Sequence, residues 1–140
     1  FYPNNRLGIT QGTLVGGNLS IIYALLGSAS AINTQGKILF IEDLDEYLYH
    51  IDRMLMNLKR NGLFKDLAGL IVGGMTDMHD NEIPYGMNAQ QIILDITAEF
   101  DFPVTFDFPA GHVKDNRALI FGKEIQLEVT SEGTTVNYIN

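Results

Sequence analysis

The chain has 140 residues, 46% hydrophobic and 19% charged, which is the composition of a globular domain and excludes a disordered tail. Nine basic and seventeen acidic side chains give a formal net charge of −8 at pH 7, so the surface repels nucleic acid and anionic lipid head groups. The lack of cysteine excludes disulfides and cysteine-bound zinc and is compatible with a cytoplasmic location. No membrane span or signal peptide is visible, and the start at Phe1 rather than at Met suggests a fragment.

Hydrophobic patterning predicts four strands ahead of a C-terminal hairpin. One loosely alternating run and three short buried runs, bounded by glycine, proline or acidic residues, have the length and composition of strands. They cover residues 7–15, 37–41, 68–72 and 103–108. Beyond them, period-two alternation on both sides of Ser131-Glu132-Gly133 predicts an antiparallel hairpin.

Three helices are predicted between the strands. They cover about residues 19–26, 45–60 and 88–100. Asn18 and Asn88 are placed to cap the first and the third helix, and Asp43 and Glu46 have the spacing of a capping box for the second. Strands that alternate with helices and end in a hairpin predict a single α/β domain with a mixed sheet.

Two residues at predicted strand ends have the chemistry of an acid–base pair. Glu42 follows the strand over 37–41, and His112 lies just past the strand over 103–108. If these strands are parallel, both side chains emerge at the sheet edge where open α/β folds build their ligand sites. A carboxylate bonded to one imidazole nitrogen fixes the tautomer and makes the other nitrogen a better base. A surface glutamate and a structural histidine are the alternative interpretation.

Gly17 and Asn18 form a second candidate site, for binding substrate. Glycine permits close backbone approach, and amides at a helix N-terminus attract an anion such as a substrate carboxylate. A simple tight turn is the alternative. A phosphate-binding loop is excluded because no Lys-Ser or Lys-Thr pair follows the glycines.

No residue has the context of a catalytic nucleophile or of a metal site. The four serines, at positions 20, 28, 30 and 131, lie outside any Gly-x-Ser-x-Gly elbow. The acidic loop over 77–82 lacks the spacing of a calcium-binding loop and is predicted to be solvated. Glu46 and His50, four residues apart, are predicted as an ordinary surface pair. Neither a cofactor nor a metal is therefore expected.

A series of short motifs runs in order along nearly the whole chain. Gly16-Gly17-Asn18-Leu19 is followed by Leu26-Gly27-Ser28, then by an IED segment at 41–43 and YHIDRML at 49–55. A strand over 69–73 and the pattern PAGH…N…G over 109–122 complete the series. These motifs resemble the GGNL…LxGT, IEDxxE…YxIDRML and PxGHxxxN…G motifs of the LD-carboxypeptidase family of serine peptidases, with serine in place of the usual threonine at position 28.

The resemblance implies a specific fold, site and reaction. It implies the swivelling β/β/α-type C-terminal domain of an enzyme that releases the terminal D-alanine of murein tetrapeptides during cell-wall recycling in the cytoplasm. Glu42 would be the acid and His112 the base of a Ser-His-Glu triad that works without metal. The serine would lie in a G-x-S-D turn of an N-terminal domain that is absent from residues 1–140, so the fragment alone is expected to be inactive. A homodimer is a further possible assembly.

Three alternatives remain open at this level. A microcin-immunity peptidase of the same family would keep the triad and cleave peptidyl-nucleotide toxins instead of murein peptides. A phosphocarrier domain would use His112 as a phosphorylated residue, and Glu42 would then be incidental. A non-catalytic module would bind D-alanyl peptides on its own.

Overall fold

The structure, a computed structural model, describes residues 3–139 and contains within them a six-stranded mixed sheet and three helices. The elements in chain order are β1 (Gly8–Asn18), α1 (Leu19–Ala24), β2 (Ile38–Leu44), α2 (Leu48–Arg60), β3 (Gly69–Thr76), α3 (Ala89–Ile96), β4 (Val104–Thr105), β5 (Glu124–Val129) and β6 (Thr134–Tyr138). The predicted α/β class with a mixed sheet is confirmed.

The sheet places the ends of its parallel strands along one edge. Its strand order is β4-β3-β2-β1-β5-β6, with parallel pairing from β4 to β1. β5 pairs antiparallel with β1, and β6 pairs antiparallel with β5, which confirms the predicted hairpin. Because β2, β3 and β4 are parallel, the segments that leave their carboxyl ends meet at the same edge of the sheet.

Two hydrophobic cores lie on opposite faces of the sheet. Leu39 and Ile41 of β2 pack with the helices, whereas Ile38 and Phe40 pack with residues of β5 on the other face. Each of the longer helices buries one apolar face against the sheet: Ile51, Met54, Leu55 and Leu58 of α2 and Ile92, Ile93 and Ile96 of α3. Among the described residues, no helix is long and apolar enough to span a membrane.

The sheet curls until its first and last strands in spatial order come into side-chain contact. Thr105 Oγ1 of β4 lies 2.6 Å from Thr134 Oγ1 of β6. Thr105 is 1% exposed, so this hydroxyl pair lies largely out of water. A threonine–threonine hydrogen bond therefore links the two ends of the sheet.

Arg6 lies along the side of β4 that is opposite β3. Its backbone exchanges hydrogen bonds of 2.9 and 3.0 Å with Val104. Its guanidinium donates a 2.6 Å hydrogen bond to the carbonyl oxygen of Phe100 and stacks over the ring of Phe102. Burial lowers the pKa of the Arg6 guanidinium, and the charge of Asp101 partly offsets that effect.

Both asparagine caps are confirmed. Asn18 Oδ1 accepts a 3.1 Å hydrogen bond from the Ile21 amide at the start of α1. Asn88 Oδ1 accepts from the Gln91 amide at 2.9 Å, and the Asn88 amide donates to Gln91 Oε1 at 2.9 Å. This reciprocal pair is a capping box, and it occurs at α3.

The capping box predicted for α2 is wrong. The helix begins at Leu48, and its N-cap, Tyr47, makes no side-chain capping bond. Asp43 lies instead within β2 and is 2% exposed. β2 runs on to Leu44 because its last residues keep pairing with β3, so the chain is still in the sheet where a helix start was predicted for Asp43 and Glu46.

The fourth strand is shorter than the predicted segment over 103–108. Only Val104 and Thr105 pair with β3. The next amide, of Phe106, donates to Asn5 Oδ1, and Asp107 takes a left-handed backbone conformation with φ 52°. The chain therefore turns out of the sheet and continues across its edge.

Candidate active site

Glu42 and His112 meet at the sheet edge, as the strand order predicts. His112 Nδ1 lies 2.7 Å from Glu42 Oε2, and the His112 backbone amide donates to the same oxygen at 3.2 Å. The Glu42 side chain is 7% exposed, whereas the His112 side chain is 51% exposed. The carboxylate thus holds Nδ1 from the protein side, and Nε2 is the ring nitrogen left for proton exchange with a reactant.

The segment after β4 carries His112 across the end of β3 to reach β2. The Phe108 amide donates to the Val72 carbonyl at 3.0 Å, and the Gly74 amide donates to the Ala110 carbonyl at 3.1 Å. Thr76 Oγ1 then donates to the carbonyl of His112 at 2.8 Å. These bonds to main-chain atoms fix the segment along β3 and so set the backbone position of His112.

Gly111 allows this segment to approach Glu42. Its φ is +101°, and a Cβ built there would lie 2.7 Å from Cγ and 2.8 Å from Oε2 of Glu42. Its amide donates to Asn116 Oδ1 at 3.0 Å, which ties the turn to the residues that follow. A side chain at position 111 would therefore occupy the space of the carboxylate that binds His112.

Gly17 lines the same depression as Glu42, with open space above its backbone. It lines a depression of about 310 Å³ together with Glu42, Gly111, Arg117 and Phe121. A Cβ at Gly17 would meet no atom within 4 Å. The position predicted for substrate binding is therefore accessible from the depression that contains the carboxylate.

The Asn18 side chain is directed into the protein. Its Oδ1 caps α1, and its Nδ2 donates to Glu42 Oε1 at 3.3 Å and to Asp43 Oδ1 at 3.0 Å. The Asn18 side chain, predicted to cap α1, thus also binds the carboxylate of the candidate pair, and the prediction that its backbone borders substrate stays a prediction.

A polar cluster behind the pair joins residues that the sequence pattern does not place together. Asp43 accepts hydrogen bonds from the amide and the hydroxyl of Ser20 at 3.0 and 2.8 Å. Ser20 Oγ also lies 3.0 Å from Glu46 Oε1, and Glu46 Oε2 lies 2.7 Å from His50 Nδ1. Glu46 and His50 are 24% and 30% exposed, so they are a half-buried pair rather than a surface pair. Residue spacing predicts the contact between Glu46 and His50 but not their link to Ser20, which is remote in sequence.

The three histidines of the chain all contact carboxylates of one short segment. We call residues 42–46, with the sequence EDLDE, the acidic segment. His112 binds Glu42, His79 binds Asp45, and His50 binds Glu46. The loop over 77–82 is largely exposed, as predicted, apart from this contact of its histidine. Within the described part of the chain, no group of three or more acidic or histidine side chains has an arrangement that could hold a metal ion.

Comparison with protein-family models shows which family the chain belongs to. The family model for the LD-carboxypeptidase C-terminal domain matches residues 11–127. The chain belongs to the LD-carboxypeptidase family. The match covers both Glu42 and His112, and it agrees with the resemblance carried by the sequence motifs.

Curated relatives of this family span most of the chain. The probable murein peptide carboxypeptidase of Bacillus subtilis is 38% identical over 133 residues, which cover 92% of this chain and 40% of that protein. The murein tetrapeptide carboxypeptidase of Pseudomonas aeruginosa is 29% identical over 119 residues, covering 84% of this chain and 38% of that protein. The chain thus spans about two fifths of the length of these LD-carboxypeptidase relatives.

Solved structures share the fold. A muramoyltetrapeptide carboxypeptidase from Oxalobacter formigenes superposes with a TM-score of 0.89 and 26% identity, over 99% of this chain and 48% of that one. The microcin C7 self-immunity protein MccF superposes with a TM-score of 0.81 at 20% identity, over 100% of this chain and 42% of that one, which shows the fold alone. The curled mixed sheet is therefore that of an LD-carboxypeptidase C-terminal domain.

Proposed function

We propose that the chain is the C-terminal part of a serine LD-carboxypeptidase that releases the terminal D-alanine of murein tetrapeptides in the cytoplasm. Glu42 is the acid and His112 the base of a Ser-His-Glu triad. The observation that carries the proposal is the 2.7 Å contact between a buried carboxylate and Nδ1 of a half-exposed imidazole. This is the arrangement in which a carboxylate orients a general base.

The nucleophile in this proposal comes from an N-terminal domain of the same polypeptide. Among the described residues, no serine hydroxyl is hydrogen-bonded to His112; Ser20 Oγ binds Asp43 and Glu46, and Ser28 Oγ donates to the Leu25 carbonyl. The exposure of the imidazole leaves its outer face available to a second domain. The active site would then form where the two domains face each other.

The reaction follows from these positions. The serine oxygen attacks the carbonyl carbon of the diamino acid while His112 Nε2 takes the hydroxyl proton. Glu42 stabilises the resulting imidazolium, which then gives the proton to the amine of the departing D-alanine. Water attacks the acyl-enzyme by the same proton route and regenerates the serine. The backbone at Gly17 and Asn18 would border the peptide near its terminal carboxylate.

Murein peptide is the proposed substrate because of the named relatives. The two murein carboxypeptidases are 38% and 29% identical to the chain, whereas the microcin C7 self-immunity protein of Escherichia coli is 25% identical over 146 residues. A peptidyl-nucleotide assayed beside the tetrapeptide separates these two activities. Faster cleavage of the peptidyl-nucleotide than of the tetrapeptide would show that the enzyme is a microcin-immunity peptidase instead.

The test is D-alanine release from murein tetrapeptide by the full polypeptide. We expect His112→Ala and Glu42→Gln to lower kcat by about 10³-fold or more with the fold intact by circular dichroism, since triad residues act as a unit. His79→Ala is the matched control, because His79 is also bound to a carboxylate of the acidic segment, and it should retain activity. Residues 1–140 alone should release no D-alanine. Activity of the His112 variant, or of that fragment, would refute the proposal.

A further inference from the structure

The side-chain amide of Asn18 makes three hydrogen bonds at once. Its Oδ1 accepts from the Ile21 amide, and its two Nδ2 hydrogens are directed to Glu42 Oε1 and Asp43 Oδ1 at 3.3 and 3.0 Å. An amide has two donor hydrogens, so neither is left for a ligand. The side chain therefore connects the start of α1 to two neighbouring carboxylates of β2.

The two carboxylates face the same amide because β2 is irregular at this point. Successive side chains of a regular strand point to opposite faces of the sheet. The register of β2 against β3 shifts between Ile41 and Asp43, and both Glu42 and Asp43 are buried, at 5% and 2% exposure. In the β1–β2 register Asn18 pairs with Glu42. The irregularity thus brings two acceptors to one donor group.

Asn18 is the donor to Oε1, the oxygen of the Glu42 carboxylate that His112 does not contact. Both contacts from His112 go to Oε2, and among the described residues the hydrogen bond to Oε1 comes from Asn18. Asp43, in contrast, has further donors in Ser20 and in the Leu44 amide. Loss of the Asn18 amide would leave a buried oxygen of Glu42 unpaired and the carboxylate free to rotate.

We propose that Asn18 is a positioning residue for the Glu42–His112 pair, with Asp43 as the anchor that fixes its amide. The inference rests on the proposed function, since it assigns a role toward the base of that reaction. Asn18 acts through Glu42 and does not bind substrate through its side chain. Asp43, for which only a capping role was predicted, holds the amide from its other side.

Two substitutions separate this role from helix capping. Asn18→Asp keeps the shape and the capping oxygen but cannot donate, and Asn18→Ser keeps a good cap without the amide. In the full polypeptide, both should lower kcat for D-alanine release at least tenfold, with KM changed less than twofold. Asn88→Asp is the matched control, because Asn88 caps α3 by the same bond without touching a carboxylate of the site, and it should keep full activity.

Each outcome decides the inference. Unchanged kcat in the folded Asn18→Ser variant, or a raised KM at unchanged kcat, would overturn it, and the second result would assign Asn18 to substrate binding. If Glu42→Gln still abolishes activity while both Asn18 variants are active, the positioning role fails and the proposed function stands. If Glu42→Gln is active as well, both fail.

A spectroscopic measurement makes the test independent of turnover. Histidine ring nitrogens labelled with ¹⁵N report the bond between His112 Nδ1 and Glu42. Asn18→Ser should shift the His112 ring signals and leave those of His79 in place, since His79 binds a different carboxylate. Unchanged His112 signals in a folded variant would contradict the inference even if activity had fallen.

Discussion

Gly111 is the residue at which the backbone comes close to the Glu42 side chain. We predict that Gly111→Ala lowers kcat for D-alanine release about tenfold or more, because the new methyl group would lie within 3 Å of the Glu42 side chain and displace it from His112. Steady-state kinetics of the full polypeptide measures this effect.

Gly86→Ala is the matched control for that substitution. Gly86 has a similar φ of +90°, and a Cβ there would meet nothing within 4 Å. Both variants carry the strain of a side chain in a left-handed conformation, of about 1–2 kcal/mol, but only one meets the carboxylate. Equal activities of the two variants would show that Gly111 matters for its conformation alone.

At the scale of single residues, the sequence predicts the Glu42–His112 pair but not the residues that hold the Glu42 carboxylate in place. Glu42 and His112 could be placed together because each follows a predicted strand, and the carboxyl ends of parallel strands share an edge, although Glu42 itself lies within the last residues of β2. Asp43 could not be placed, because its burial depends on an irregularity in β2 that no local pattern indicates. The spacing of Asp43 and Glu46 is that of a capping box, and this local signal was misleading where tertiary pairing extended the strand.

At the scale of elements, the close approach of β1 to β2 positions the site. A Cβ on Gly16 would lie 1.9 Å from the carbonyl oxygen of Phe40, so no side chain fits there. Asn18 and Glu42 lie two residues further along the same strand pair. The distance between Asn18 and Glu42 therefore depends on the glycine at position 16.

We predict that Gly16→Ala destabilises the protein by at least about 2 kcal/mol more than Gly17→Ala does. Both glycines have positive φ, 134° and 150°, but a Cβ on Gly17 has open space. The difference in unfolding free energy thus measures the clash with Phe40 and the separation of the strands that relieves it. Chemical denaturation of the two variants gives this difference, and equal stabilities would contradict the account.

At the scale of the whole molecule, the hydroxyl pair of Thr105 and Thr134 joins the two ends of the sheet. Thr105→Val should destabilise the protein by about 1–2 kcal/mol, because it leaves a half-buried hydroxyl of Thr134 without its partner. The double variant with Thr134→Val should recover part of that loss. A double-mutant cycle by urea denaturation measures the coupling, and strictly additive effects would show that the pair does not hold the ends together.

The curl of the sheet is the part of the fold that the sequence could not reveal. Strand and helix order followed from alternation and from the asparagine caps, which are local signals. The contact of β4 with β6 joins Thr105 and Thr134, which are 29 positions apart. β4 is limited to Val104–Thr105 because the hydrogen bond to Asn5 and the left-handed backbone of Asp107 turn the chain out of the sheet. Such long-range side-chain contacts leave no periodic trace in the sequence.

The position of Arg6 has a consequence for handling this domain. Strands with an unpaired flank are templates for association with other chains, and proteins commonly shield them. Here Arg6 bridges Val104, and its guanidinium donates hydrogen bonds to carbonyl oxygens of Thr97 and Phe100 near the end of α3. A version trimmed to begin at Gly8 would bare the outer backbone of β4 and would be prone to aggregate, even though every residue of the acid–base pair would still be present.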